Sequence, residues 1–137
     1  MLSVYVSGAS SEWQRVASVV ERLEASGLIE VPCKWWIDAS QWSGRDHERS
    51  SHERIRLTRE LFAAIDASDV FLLLAPSHGH TSRMAWAELG YALNSSYGLR
   101  VIVSGNYAQT ICTALADTHF HTDDDAISAV ISLAGEP

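Results

Sequence analysis

Apolar positions along the 137-residue chain recur with two periods in alternation, which predicts strands and helices by turns. Ser3–Gly8 (SVYVSG) is β-branched and aromatic and stops at glycine, the pattern of a first strand. Trp13, Val16, Val19, Val20 and Leu23 then form a helical stripe, with Ser11 and Gln14 resembling a capping box at its start and Gly27 ending it. Val31–Ile37 (VPCKWWI) predicts a second strand, and Pro32 assigns it to a sheet edge. Ser40–Ser51 is polar and contains glycine, so it reads as the longest loop. A helix follows from His52 to Ala67, with Leu57, Leu61, Ala64 and Ile65 on one face and Arg49–Glu53 and Arg56–Glu60 as i,i+4 pairs on the outer side. Asp69–Pro76 (DVFLLLAP) is apolar throughout, as expected of a parallel strand covered on both faces. After the SHGHTS loop, Met84–Leu93 predicts a helix with Ser82 as N-cap. Arg100–Gly105 predicts a buried strand, Ala108–Ala116 a short helix, Thr118–Thr122 a last strand, and Thr122 or Asp123 the cap of a closing helix through Leu133.

Strands alternating with helices predict an α/β fold, here a single domain with a doubly wound, five-stranded parallel sheet of flavodoxin-like order 2-1-3-4-5. Ligands in such sheets sit beyond the carboxyl ends of the strands, where the first and third diverge. Ser7–Ser11, Trp36–Asp38 and Pro76–Glu88 are expected to meet there.

One residue in the Met84–Leu93 stretch breaks its pattern. Trp86, Leu89, Gly90 and Leu93 share a face, but Met84, Ala85, Ala87, Tyr91 and Ala92 make the other faces almost as apolar, which predicts burial on more than one side. Glu88 is the only charge in that run. A carboxylate so placed is costly unless it is paired or employed. Glu88 is therefore either a functional carboxylate or a core-edge glutamate capped by an arginine or a backbone amide.

Composition narrows the function. The chain is 47% hydrophobic, which argues against disorder. A net charge of −7, from 10 basic and 17 acidic residues, argues against a general nucleic-acid or anionic-membrane surface. No apolar run is long enough to cross a bilayer and MLSVYVSG lacks a basic region, so a cytoplasmic location is expected. Cys33 and Cys112 lack CxxC spacing, which predicts reduced thiols.

At the expected ligand edge, Tyr5 and Ser7 share one face of the first strand. Gly8 and Ala9 lead into a turn where backbone can approach a ligand and a helix N-terminus can hold an anion, although glycine there also serves as a plain turn. Ser82 is either a simple cap or a phosphate contact. Trp35 and Trp36 point to opposite faces of the predicted strand, so one of them either stacks on a flat ring or both belong to the core. His78 with His80, and His119 with His121, lack a third convergent ligand, so no metal is expected. A receiver-type phosphorylation site would need an acid where Ala75 and Pro76 stand. The Arg45–Arg59 cluster, interleaved with Asp46, Glu48 and Glu53, reads as a solvated face.

The first strand with Tyr5 and Gly8, the SDVFLLLAP strand, and Ser82 six residues before Glu88 in AELGYAL together resemble the nucleoside 2-deoxyribosyltransferase superfamily, which includes deoxynucleoside 5'-monophosphate N-glycosidases. The resemblance spans most of the chain. It implies that Glu88 is a nucleophile attacking C1' of a 2'-deoxynucleoside or its 5'-monophosphate, with retention overall, and that Tyr5 orients it. It implies that Ser82 binds the 5' end, with Arg83 beside it, and that Thr113 reaches the phosphate from a neighbouring subunit, so that a homodimer or homotetramer shares its active sites. No cofactor is implied, and the partner is a small nucleoside or nucleotide. Two departures stand out. The usual base-side aspartate, eight residues before Asp69, is Leu61 here, so Glu60 takes its place through a one-residue insertion, Asp66 replaces it, or the acid is missing. Arg83, Met84 and Trp86 also replace small residues, which either narrows the pocket or strengthens anion binding.

Three other classes compete. A catalytically silent nucleotide-binding module on the same fold would bind without turnover. A flavodoxin-like carrier would hold FMN and be coloured. Cleavage of the nicotinamide glycoside of NAD would also need a glutamate.

Overall fold

The computed structural model describes residues 1–42, 44–95, 98–106 and 111–136. Five parallel strands, β1 (Leu2–Ser7), β2 (Ile29–Glu30), β3 (Val70–Leu74), β4 (Arg100–Ser104) and β5 (Thr118–Phe120), lie in the order β2-β1-β3-β4-β5. This is the flavodoxin-like sheet that the alternation predicts. The helices are α1 (Trp13–Ala25), α2 (Trp35–Trp42), α3 (Ser51–Asp66), α4 (Arg83–Leu93) and α5 (Asp123–Ala134), with short 3-10 turns at Ser10–Glu12, Asp46–Glu48 and Ile111–Leu115.

The two-residue period of the strands sorts the core into halves. Val4, Val6, Leu72, Leu74 and Ile102 meet Val16, Val19, Val20 and Leu23 of α1 and Ala126, Ile127 and Val130 of α5. Tyr5, Phe71, Leu73, Val101 and Val103 meet Ile65 of α3 and Ala85, Leu89 and Ala92 of α4 on the opposite face. β3 is buried along its whole length, as its apolar run requires. Capping follows the sequence in two places, where Ser82 accepts from the Ala85 amide and Thr122 from the Asp125 amide, and Ser50, inside the expected loop, caps α3 by accepting from the Glu53 amide. α4 is less enclosed than its composition suggests, because Ala87 and Gly90 face solvent.

Several expectations need correction. β2 ends at Glu30, and Trp35–Ile37 begins a helix rather than continuing a strand. Trp35, Ala39 and Trp42 fall at i, i+4 and i+7, a helical period, while Pro32 supplies no amide to extend the pairing. The polar stretch after it is therefore a shorter connection than Ser40–Ser51, carrying one 3-10 turn before α3. The capping box of α1 does not form, because the helix starts at Trp13 and the Ser11 hydroxyl bonds His80 instead. Arg49 is not on a solvated face. Its side chain is only 4% exposed, lies 4.4 Å from the Trp42 ring centroid, and pairs with Asp38 at 2.6 Å, Asp46 at 3.2 Å and Glu53 at 3.0 Å. The predicted helix of Ala108–Ala116 lies partly outside the described residues; its described part is the 3-10 turn at Ile111–Leu115.

Candidate active site

α1 covers one face of the sheet and α4 the other, so the chain leaves β1 and β3 in opposite directions and opens a crevice at their carboxyl ends. Glu88 reaches the end of β1 from the second turn of α4 and is 3% exposed. The Tyr5 hydroxyl donates to its Oε2, and the Ser7 hydroxyl donates to its Oε1 at 2.9 Å. Tyr5 and Ser7 converge because alternate residues of a strand share a face. The Tyr5 ring is itself fixed by stacking on Phe71 of β3, centroid to centroid 5.8 Å.

Burial pushes the Glu88 carboxyl up to about 7, while the bonds from Tyr5 and Ser7 pull in the opposite direction. The Tyr5 hydroxyl rises well above its ordinary value, first through burial and then through the charge and hydrogen bond of Glu88. A carboxyl that exchanges its proton near neutrality has the chemistry of a nucleophile when ionised and of an acid when protonated. Of the two readings of Glu88 left open by the sequence, capping by an arginine or a backbone amide is not what the structure shows; its partners are two hydroxyls.

The remaining expected residues distribute unevenly. Gly8 and Ala9 are buried, and a Cβ built at Gly8 would lie 3.0 Å from Val16 Cγ2, so this glycine lets the turn pack on α1. The anion beside that helix start is the chain's own Glu12, whose carboxylate accepts from the Ser77 amide at 2.8 Å and its hydroxyl at 2.7 Å. Ser82 spends its oxygen on capping α4. Ser82 and Arg83 line a hollow of about 340 Å³ with His80, Thr81 and Trp86; Glu88 is not part of its lining. Glu88 and Trp86 leave α4 about 160° apart at 3.6 residues per turn, so the hollow and the carboxylate lie on different flanks.

Trp36 is buried with the α1 side of the core, across the sheet from Glu88, and is no stacking platform for a ligand there. Thr113 is 3% exposed within its own subunit, and its carbonyl accepts from His119 at 2.6 Å; a hydroxyl so enclosed does not extend to a neighbour. Glu60 points outward to Arg56 at 2.8 Å, its side chain 58% exposed. Asp66 accepts from the Tyr91 hydroxyl at the far end of α3, away from the strand ends. Neither therefore stands in for the missing base-side acid in this conformation. Among the described residues no three His, Cys, Asp or Glu side chains gather as metal ligands.

Cys33 was not anticipated. The Trp35 indole donates to the Val6 carbonyl at 2.7 Å, between Tyr5 and Ser7, and so lays the start of α2 against the site. Cys33 packs on the Tyr5 side of the core, and burial raises its thiol, with smaller contributions from the charges of Glu88 and Glu60. Reading Val31–Ile37 as a strand hid this corner; the helical spacing of Trp35, Ala39 and Trp42 is the signal that exposes it.

A doubly wound flavodoxin-like domain with a buried, hydroxyl-held glutamate at its switch point is the class that fold and site define. No protein-family model matches the chain, and no curated protein matches it. Among solved structures it is similar to the CMP N-glycosidase BcmB of Clostridium botulinum, with a TM-score of 0.56 at 15% identity over 96% of this chain and 98% of that one. That likeness is one of fold. Among the described residues no helix is long and apolar enough to cross a membrane.

Proposed function

We propose that the chain cleaves or transfers the N-glycosidic bond of a 2'-deoxynucleoside or its 5'-monophosphate, with Glu88 as nucleophile. The observation that carries this reading is a single carboxylate held by Tyr5 and Ser7 at the strand ends, with its ionisation moved to about 7. Ionised Glu88 attacks C1' as the bond to the base breaks, giving a glycosyl ester. The departing base takes a proton from solvent. Water, or a second base, then opens the ester from the face the first base left, so configuration is retained. Tyr5 and Ser7 fix the carboxylate before attack and receive it again after release. The BcmB likeness adds support at the level of fold, since that protein is an N-glycosidase acting on a nucleoside monophosphate. Ser82 and Arg83 line the hollow on the other flank of α4 and are the groups proposed for a 5'-phosphate. A homodimer or homotetramer remains part of the proposal, without the contribution from Thr113.

The test is chromatography of mixed deoxynucleosides, nucleosides and their monophosphates after incubation. Free base released by wild type and absent with Glu88→Ala supports the proposal. Intact substrates throughout, with tight binding of one of them, support the silent-module reading, which is favoured by the outward orientation of Glu60 and the enclosure of Glu88. NAD is included in the mixture to separate cleavage of its nicotinamide glycoside.

A further inference from the structure

The strand that carries both partners of Glu88 is fastened from outside by one indole. Beyond Ser3, β1 is paired on the β3 side alone, through Val4–Ser7. At its open edge the Val6 carbonyl accepts from the Trp35 indole at 2.7 Å. Val6 stands between Tyr5 and Ser7, whose hydroxyls hold Oε2 and Oε1 of Glu88. We propose that Trp35 is a positioning residue for Glu88: through Val6 it fixes the stretch of β1 from which both hydroxyls reach the carboxylate. This deepens the proposed reading of Glu88 and rests on it only for the effect on turnover.

Trp35 is itself firmly seated. It packs on both halves of the core, so it straddles the sheet edge, and its ring meets that of Trp36 edge-on, with 6.1 Å between centroids and 85° between planes. Trp36 is buried against the α1 side. Behind them, Lys34 lies 5.7 Å from the Trp36 ring centroid and pairs with Glu24 of α1 at 2.7 Å, and Glu24 also accepts from the Val31 amide at 3.3 Å. The indole is thus braced on α1, and β1 is tied to it. The two hydroxyls depend on that tie unequally. Tyr5 has a second anchor, its ring stacked on Phe71. Ser7 has a single rotatable bond between backbone and Oγ, so its 2.9 Å contact with Oε1 follows the strand directly. A hydrogen bond weakens steeply when its donor turns or withdraws. Loss of the Trp35 bond therefore falls chiefly on the Ser7 contact, and burial, less opposed, raises the Glu88 carboxyl further. Among the described residues the titratable groups facing Glu88 are Tyr5 and Cys33; burial raises both, so neither ionises where Glu88 does.

The experiment reads Glu88 directly, by carbon-13 NMR of protein made with carboxyl-labelled glutamate and titrated across neutrality. The Glu88 resonance is the one missing from Glu88→Gln. In Trp35→Phe, which keeps a flat ring and loses the donor, its midpoint rises by roughly 0.5 to 1 pH unit. In Trp36→Phe, which disturbs the same packing without touching the bond to Val6, the midpoint stays at the wild-type value. In Ser7→Ala the midpoint is already raised and Trp35→Phe adds little to it, whereas with Tyr5→Phe the two increments add. Lost packing alone would lower stability in both tryptophan variants without moving either midpoint. A wild-type measurement serves where Trp35→Phe does not fold: the Trp35 indole nitrogen-15 resonance titrates with the Glu88 midpoint and stays flat in Glu88→Gln. An unmoved midpoint in Trp35→Phe, an equal shift in Trp36→Phe, or an indole resonance indifferent to Glu88 overturns the proposal. In turnover, Trp35→Phe moves the acidic limb of the pH–rate profile by the same amount and lowers kcat with KM unchanged. If the midpoints behave as expected while no substrate loses its base, the glycosidase reading falls and the role of Trp35 stands. If base is released while the Trp35→Phe midpoint is unmoved, the reading stands and the positioning role falls.

Discussion

Replacing Glu88 by glutamine asks how much stability the buried carboxylate costs. Its folded-state value of about 7 lies above the ordinary 4.5, a difference of 7 − 4.5 = 2.5. The folded chain therefore binds this proton more tightly than the unfolded chain. Stability from this group is fully present below the unfolded value and is lost as pH rises from 4.5 through about 7. At 1.36 kcal/mol per pH unit the loss is on the order of 3 kcal/mol. Glutamine keeps the shape, accepts from Tyr5 and donates to Ser7, but never ionises. Urea unfolding of wild type and Glu88→Gln from pH 4 to 8 isolates the effect, because Asp123 and Glu24, whose values are lowered, contribute equally to both. The two proteins should be near equal in stability at pH 4, and the variant more stable by about 3 kcal/mol at pH 8. A difference that stays constant across this range would refute the account of Glu88 as a carboxylate destabilised by burial. Under the proposed mechanism the same ionisation makes turnover of wild type rise through about pH 7.

Tyr5→Phe removes a bond that favours ionised Glu88, so the acidic limb of the pH–rate profile moves upward; an unmoved limb would show that the bond does not tune the carboxylate. Arg49→Ala leaves Asp38, Asp46 and Glu53 without their shared cation and uncovers Trp42, which should cost roughly 1–3 kcal/mol by chemical denaturation, with Arg49→Lys recovering only part because the fork is lost. Gly8→Ala brings a methyl to 3.0 Å from Val16 Cγ2 and should lower stability by about 1 kcal/mol, measured as a shift in denaturant midpoint at constant slope.

The parts of the fold that were legible in the sequence are those whose partners do not matter. β3 is apolar throughout because both faces are covered, and Ser82 and Thr122 act on amides three residues away. Glu88 was legible for a related reason, as the one charge in an otherwise apolar turn. Its two partners were half legible: Tyr5 and Ser7 share a face by period alone, but that they face Glu88 depends on β1 lying beside β3. The errors arise where distant contacts decide. Tryptophan and isoleucine favour strands locally, yet Trp35–Ile37 is helical because the indole of Trp35 finds Val6 and that of Trp36 finds the α1 side of the core. Arg49 looked solvated among acids, but those acids and Trp42 enclose it. For Glu60, one helical position separates a residue packed on the core, Leu61, from one that faces water.

The brevity of β2 has a further consequence. It pairs with β1 only at Leu2 and Ser3, so the upper half of β1 is the rim of the sheet. An uncovered rim is a template onto which a stray extended chain can dock. Trp35 closes it with a side chain: its indole takes the Val6 carbonyl that another backbone would otherwise capture, and its bulk occupies the lane beside it. One tryptophan thus guards the chain against stacking edge to edge, at a position where the missing length of strand would have invited it.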